Sequence, residues 1–189
     1  MPESSSIKAS RIDLQPTLKG ELLELRPLRA DDFDALFAAA GDPLIWEQHP
    51  EPDRYTRAVF QRYFDGAMAS KGALVVIERK TGKIIGSSRY HNFYPEQSEI
   101  EIGYTFLERK FWGGKYNGEM KSLMVKHALG FVERVVFAAG ATNLRSQKAL
   151  EKIGAKFFKN DRRPKRDGTL IPYVVFAITR QQAAHANQS

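Results

Sequence analysis

The sequence predicts a mixed α/β domain built on a single sheet, and three observations carry that expectation. Strand and helix periodicities follow one another in the order β-α-α-β-β-β-α-β-α-β-β, which lacks the alternation of a doubly wound fold. Two pairs of neighbouring strand-like runs are joined by turn-forming segments, "ALVVIER" with "IIGSSRYHNF" and "AKFFKN" with "TLIPYVVFAIT". The 189 residues contain no internal repeat and no linker, so one core is expected.

The elements follow in order. After a polar arm ending near Gln15, "LKGELLELRPLR" has the spacing of a short first strand. "DDFDALFAAAGDP" reads as a helix that Asp31 or Asp32 can cap and that Gly41 and Pro43 stop. Val59, Phe60, Tyr63, Phe64, Ala67 and Met68 recur at three- and four-residue spacing, which predicts a second helix ending at Gly72. The first hairpin turns at Gly82. "SEIEIGYTFL" then alternates, with Ile100, Ile102, Tyr104 and Phe106 on one face and Glu99, Glu101, Gly103 and Thr105 on the other. Met120, Leu123, Met124, His127, Ala128 and Phe131 make a helical stripe, and "RVVFAA" reads as a buried strand. "NLRSQKALEKIGA" is a helix capped by Asn143, with Leu144, Ala149, Leu150 and Ile153 facing inward and Gly154 past its end. A hairpin around the charged turn "DRRPKRDG" closes a domain spanning 16–181, between an arm at 1–15 and a frayed tail at 182–189.

Composition narrows the function classes. Hydrophobic residues at 42% and charged residues at 27% are globular values, and no apolar run approaches a membrane span. The N-terminus lacks a secretory apolar core, so a soluble, cytoplasmic protein without membrane association is expected. The absence of cysteine removes thiolate catalysis, disulfides and Cys-ligated zinc. Neither His49 nor His185 has further ligand-type residues at metal spacing, so no metal is expected. A formal charge of +7 favours anionic partners without choosing among them.

The stretch "FWGGKYNGEMKSLMVKHAL" places Gly113 and Gly114 at a helix start. The first turn of a helix carries unpaired N–H groups and a partial positive charge, so bare backbone there can receive an anion. A tight strand-to-helix turn explains the glycines equally well. Lys115 is followed by Tyr116 rather than Ser or Thr, which disfavours a nucleotide-hydrolysing phosphate loop. A second strand-to-helix junction opens with Asn143 and Ser146, for which capping alone is a sufficient reading.

Taken together, the two junctions resemble the acetyl-CoA site of the GNAT acyltransferase superfamily, and the likeness runs from about Leu18 to Thr179. "EIGYTFLERKFWGGKYNGEMKSLMVKHA" is similar to the family's strand, pyrophosphate loop and helix, and "NLRSQKALEKIGA" to its second signature segment. "LELRPLRADDFDAL" and "DGTLIPYVVFAI" resemble the branch of the ribosomal-protein N-terminal acetyltransferases. The resemblance implies a mostly antiparallel central sheet flanked by helices, with acetyl-CoA as cosubstrate. It implies that backbone N–H groups of Trp112, Gly113, Gly114, Lys115, Tyr116 and Asn117 hold the pyrophosphate. Phe106 and Leu107 would pair with the pantetheine arm, and Asn143 would hydrogen-bond it. The loop departs from the family frame at Lys115, where a small residue is usual, and "AAGAT" stands where the branch often carries a Thr-Asp pair.

Acyl transfer to an amine needs a neutral nucleophile, a polarised carbonyl and protonation of the leaving thiolate. The resemblance carries Ser146 over as general acid. Glu101 is the chosen base, provided burial raises its pKa; pairing of Glu99 and Glu101 with Arg89 and His91 is the alternative, and His91 could itself be a base. The acceptor pocket is assigned to Trp46, Glu47, Tyr55, Tyr90, Asn92, Glu99 and Tyr173, an aromatic and acidic lining suited to a primary amine such as a protein N-terminus or a small amine. A homodimer is left open. Two alternatives stand beside the enzyme: a CoA-responsive binding module without catalysis, and a nucleic-acid binder using the basic run from Arg162 to Arg166. No aromatic interleaving supports the latter, and nucleic acid is not expected.

Overall fold

The computed structural model describes residues 12–186. Its strands are β1 (Leu18–Lys19), β2 (Leu23–Pro27), β3 (Ala73–Glu78), β4 (Ile84–Tyr94), β5 (Glu99–Leu107), β6 (Arg134–Gly140), β7 (Lys156–Pro164) and β8 (Leu170–Thr179). The helices are α1 (Phe33–Ala40), α2 (Arg57–Ser70), α3 (Lys115–Ala128), α4 (Leu144–Lys152) and α5 (Arg180–Ala186). One sheet runs in the order β1-β2-β3-β4-β5-β6-β8-β7, antiparallel at every pairing except β5 with β6.

Apolar periodicity divides the helices between the two faces. Met120, Met124 and Ala128 of α3 and Leu150 of α4 pack with Leu25, Val76, Ile100, Ile102 and Phe137 on one side. Leu36 of α1 and Phe60, Phe64 and Ala67 of α2 pack with Val75 and Phe106 on the other. Both sides of the central strands are therefore covered, which explains continuous runs such as "ALVV" in β3, buried at every position.

Several expectations change. The first strand is two, because Gly20 turns the chain between β1 and β2. Glu119 of α3 reaches that turn and accepts the N–H groups of Glu21, Leu22 and Leu23 at 2.8–3.2 Å. Ile12 and Leu14, assigned to the arm, pack on the core, and residues 1–11 of that arm lie outside the described residues. The segment Asp161–Pro164, read as turn, extends β7, while Arg180–Ala186, read partly as tail, forms α5. Leu144 is 60% exposed rather than inward, since it is the first residue of α4 and precedes the buried turn around Leu150.

The alternation of β5 breaks at Tyr104, whose φ of 52° marks a bulge. Arg89 pairs with Gly103 and Ser87 with Phe106, so two residues of β5 face one of β4. Phe106 is thereby moved to the α2 side, away from Ile100 and Ile102, and Thr105 turns toward α3, where it meets Lys121.

Glu119→Ala should cost about 2 kcal/mol, because it removes a carboxylate shared by three backbone donors, those of Leu22 and Leu23 part-buried. Urea unfolding checks this; an unchanged midpoint would mean that solvent replaces the carboxylate without loss.

Candidate active site

The parallel ladder between β5 and β6 joins Glu99–Glu101 to Arg134–Val136 and goes no further, although β5 continues to Leu107 and β6 to Gly140. Past that point the strands part. A cavity of about 1060 Å³ fills the opening, with Thr105, Phe106 and Leu107 on one wall and Phe137, Ala139 and Gly140 on the other. Its mouth lies between the starts of α3 and α4.

At the α3 mouth Gly113 has φ of 71°, a conformation that favours glycine, and Gly114 caps the helix. A Cβ at Gly113, Gly114 or Gly118 would meet nothing within 4 Å, so the glycines leave an open approach to the helix start. Gly113, Gly114 and Asn117 line the cavity with Trp112, whose indole N–H donates to the Leu107 carbonyl at 2.9 Å. Lys115 is exposed and does not line the cavity, so it neither closes the loop nor reaches into it by contact. Tyr116 also points elsewhere: its ring packs edge-on against Phe111, and its hydroxyl donates to Glu78 at 3.1 Å.

At the α4 mouth Asn143 accepts the Ser146 N–H at 3.1 Å, so it is a cap as well as a cavity residue. Ser146 lines the cavity too. Arg145 lies 4.2 Å over the Trp112 ring and donates to the Leu44 and Ile45 carbonyls and to Glu47, which ties the helix start to the α1–α2 connection. Glu47, assigned to the acceptor, is thus engaged by Arg145.

Of the other assigned acceptor residues, Trp46 and Tyr173 line the cavity. Trp46 packs on Phe106 and His49 while Arg54 lies over its ring. Tyr90 does not reach the site: it is fully buried on the α3 side and donates to the Met124 carbonyl at 2.7 Å. Burial pushes its phenol well up. Glu99 is likewise removed, since Arg134 donates to it at 2.6 Å. Tyr55 is exposed and outside the lining.

Glu101 is buried, but Arg163 of β7 grips both its oxygens, at 2.6 and 3.1 Å, and Asn92 donates to one of them at 3.0 Å. Burial alone would lower the Arg163 guanidinium; the hydrogen bond and charge of Glu101 outweigh that and raise it. His91 stands 3.6 Å from the same carboxylate, and its buried Nε2 has no hydrogen-bond partner. Burial lowers the imidazole pKa despite the neighbouring carboxylate. Beside it Arg89 lies 4.0 Å over the Tyr104 ring. His49, at the cavity's far end, is pushed down to about 3 by burial and then by Arg54.

The residue that sequence reasoning missed is Lys121. It is 5% exposed, lines the cavity, donates to the Thr105 hydroxyl at 2.6 Å, and sits 5.4 Å from the centre of the Phe137 ring. The hydroxyl of Ser88 is 2.8 Å from that of Thr105. Burial lowers the Lys121 amine to about 7. Its signal was the continuation of the bare helix face from Gly114 through Asn117 and Gly118, one turn at a time.

The profile of the acetyltransferase (GNAT) domain family matches residues 23–156. The chain belongs to that family, and it is an N-acetyltransferase. Solved structures agree in fold. A GCN5-related N-acetyltransferase from Brucella melitensis is 22% identical, with a TM-score of 0.82 over 92% of this chain and 83% of its own. A GNAT-family acetyltransferase from Bacillus anthracis is 21% identical, with a TM-score of 0.71 over 88% of this chain and 99% of its own. Mycobacterium smegmatis RimJ, solved with CoA-disulfide, is 19% identical, with a TM-score of 0.69 over 90% of each chain. Among the described residues no group of three His, Asp or Glu could hold a metal, and no helix is long and apolar enough to cross a membrane.

Lys121→Met tests the burial of the amine. An unfolded lysine binds its proton up to about pH 10.4, whereas the folded one releases it near 7, so wild-type stability rises with pH between those values. The variant should melt on the order of 10 °C higher at neutral pH, with the gain vanishing toward about pH 10. A gain constant with pH in differential scanning fluorimetry would refute the assignment.

Proposed function

We propose that the chain moves an acetyl group from acetyl-CoA to a primary amine, by direct attack in a ternary complex. The observation that carries this reading is the cavity itself, which runs from a bare helix start into a crevice between two strands of one sheet. A pyrophosphate fits the first part, at the open helix start beside Gly113 and Gly114, with N–H groups from residues 113–117; the Trp112 N–H, also assigned to it, is instead donated to the Arg109 carbonyl at 3.0 Å. An extended amide arm fits the second, where β5 has lost its β6 partner beside Phe106 and Leu107. Asn143 and Ser146 flank the arm from α4.

In this reading Ser146 gives the leaving thiolate its proton. On the acceptor side Arg163 and Asn92 hold the Glu101 carboxylate, with the buried Nε2 of His91 3.6 Å from it; neither Glu101 nor His91 lines the cavity, so in this reading the ammonium proton reaches the pair past Gly103 and Tyr104, which do line it. Trp46 and Tyr173 form the acceptor wall, and Asn92 orients Glu101. The acceptor class, a protein N-terminus or a small amine, and a cytoplasmic setting belong to the same proposal. Of the two features that motivate the non-catalytic alternative, Lys115 carries less weight because its side chain stands outside the cavity, while "AAGAT" still occupies the place of the Thr-Asp pair.

The test is calorimetric titration with acetyl-CoA together with free-thiol release over a panel of amines and N-terminal peptides. Saturable binding and thiol release with one acceptor class are expected; no binding would remove the reading. Gly113→Val forces a β-branched residue into a left-handed conformation and should weaken CoA binding about tenfold while the far-UV spectrum stays native. Equal affinity would discard the loop assignment. Ser146→Ala, Glu101→Gln and His91→Gln should each lower kcat by about tenfold to a hundredfold with little change in CoA affinity. Wild-type rates in the His91 variant would return the base to Glu101 alone.

A further inference from the structure

Lys121 has no place in the transfer just described, yet among the described residues it is the one buried lysine that lines the crevice. It is held at the point where β5 and β6 separate, between Thr105 on one strand and Phe137 on the other. The proposed cofactor path begins at the start of α3 and descends past Leu107 and Phe106. The next side chain of β5 facing α3 is Thr105, and Lys121 lies about two helical turns below the helix start. The far end of an extended acyl arm therefore arrives at this amine.

The surroundings suit a nucleophile. No Asp or Glu lines the cavity, and the charged side chains that line it with Lys121 are Arg145, Lys148 and Lys152, all of α4. Without a carboxylate to hold the proton, burial brings the amine down to about 7, so a large share is neutral at ordinary pH. The Thr105 and Ser88 hydroxyls fix its direction without supplying a charge.

We propose that Lys121 is an internal acyl acceptor: when no amine substrate is present, it takes the acetyl group from bound acetyl-CoA and becomes Nζ-acetyl-lysine. This rests on the cofactor site proposed above. The lone pair of Nζ attacks the thioester carbonyl carbon, forming the C–N bond. The C–S bond breaks with its electron pair on sulfur, and the proton lost by nitrogen ends on the thiolate, giving an amide and free CoA. The product fills the crevice with a neutral acetyl amide, so the labelled enzyme cannot reload.

Wild-type protein is incubated with acetyl-CoA and no acceptor, then analysed by intact mass and peptide mapping. One acetyl group per chain on Lys121 is expected, together with loss of transferase activity in proportion to labelling. CoA lacking its sulfur should suppress labelling of Lys121 and leave solvated lysines unaffected. The labelling rate should rise about tenfold between pH 6 and pH 8 and then level off, whereas a solvated lysine continues upward toward about pH 10. Lys121→Met should lose the modification. Labelling that persists in that variant, resists the desulfo competitor, or climbs steadily toward pH 10 is ordinary surface chemistry and overturns the proposal. CoA binding by calorimetry without any label at Lys121 overturns this inference alone, and absence of binding overturns the cofactor site with it.

Discussion

Parting of β5 from β6 after three residue pairs is the constraint on which the site depends. A sheet that stayed zipped would satisfy its backbone and leave no room for a ligand. Here the separation is held open from both sides: Tyr63 donates to the Tyr104 carbonyl at 2.9 Å and the Trp112 indole to the Leu107 carbonyl at 2.9 Å. Two part-buried backbone acceptors of β5 are thus met by side chains from α2 and from the α3 loop in place of a strand partner. The bulge at Tyr104 belongs to the same device, since it turns Phe106 to one face and Thr105 to the other just where the strands diverge.

Around this opening the protein places unlike electrostatics at the two ends. Toward the acceptor side, guanidinium groups lie on aromatic rings: Arg54 over Trp46 and Tyr63, Arg89 over Tyr104, Arg163 over Tyr173. Planar, weakly hydrated cations tolerate such burial better than ammonium groups, and two of the three also meet carboxylates, Glu51 and Glu101. Toward the crevice floor stands a single buried lysine beside the Thr105 hydroxyl and the Phe137 ring. Its proton is the least secured of these cations, because lysine, unlike arginine, can escape the cost of burial by deprotonating.

Much of the architecture was legible from period and punctuation. The α2 stripe is buried from Val59 to Ala67 as the spacing required, although Met68, its last expected member, is exposed, and Gly82 and Gly154 adopt the positive φ that their turn positions demanded. The glycine pair at the start of α3 and the cap at Asn143 were legible too, because both are local chemistry. What escaped was non-local. Alternation along β5 gave no warning of the bulge, which is set by register against β4. Glu101 was expected to act as a base, with pairing to Arg89 or His91 as the alternative, but it is held by Arg163 from 62 residues downstream, out of a run that reads locally as a charged turn. Tyr90 was assigned to the acceptor pocket, and only the packing of α3 shows why its hydroxyl is spent on Met124.

The same distinction accounts for the positive charge. Net charge counts Arg162 to Arg166 as one basic patch, yet β7 divides it: Arg163 turns inward to Glu101, and Arg162 donates back to the Leu170 carbonyl across the hairpin. A nucleic-acid surface needs cations arrayed on one solvated face with bases to stack beside them, and this hairpin directs its central arginine into the protein. The cations that do share one surface are Arg145, Lys148 and Lys152 along α4, where they border a cavity that contains no carboxylate. An excess of +7 is then a property of where acids are absent as much as of where bases are present. An anion entering between α3 and α4 meets helix N–H groups first and those side chains beside it, with no opposing negative charge in the lining.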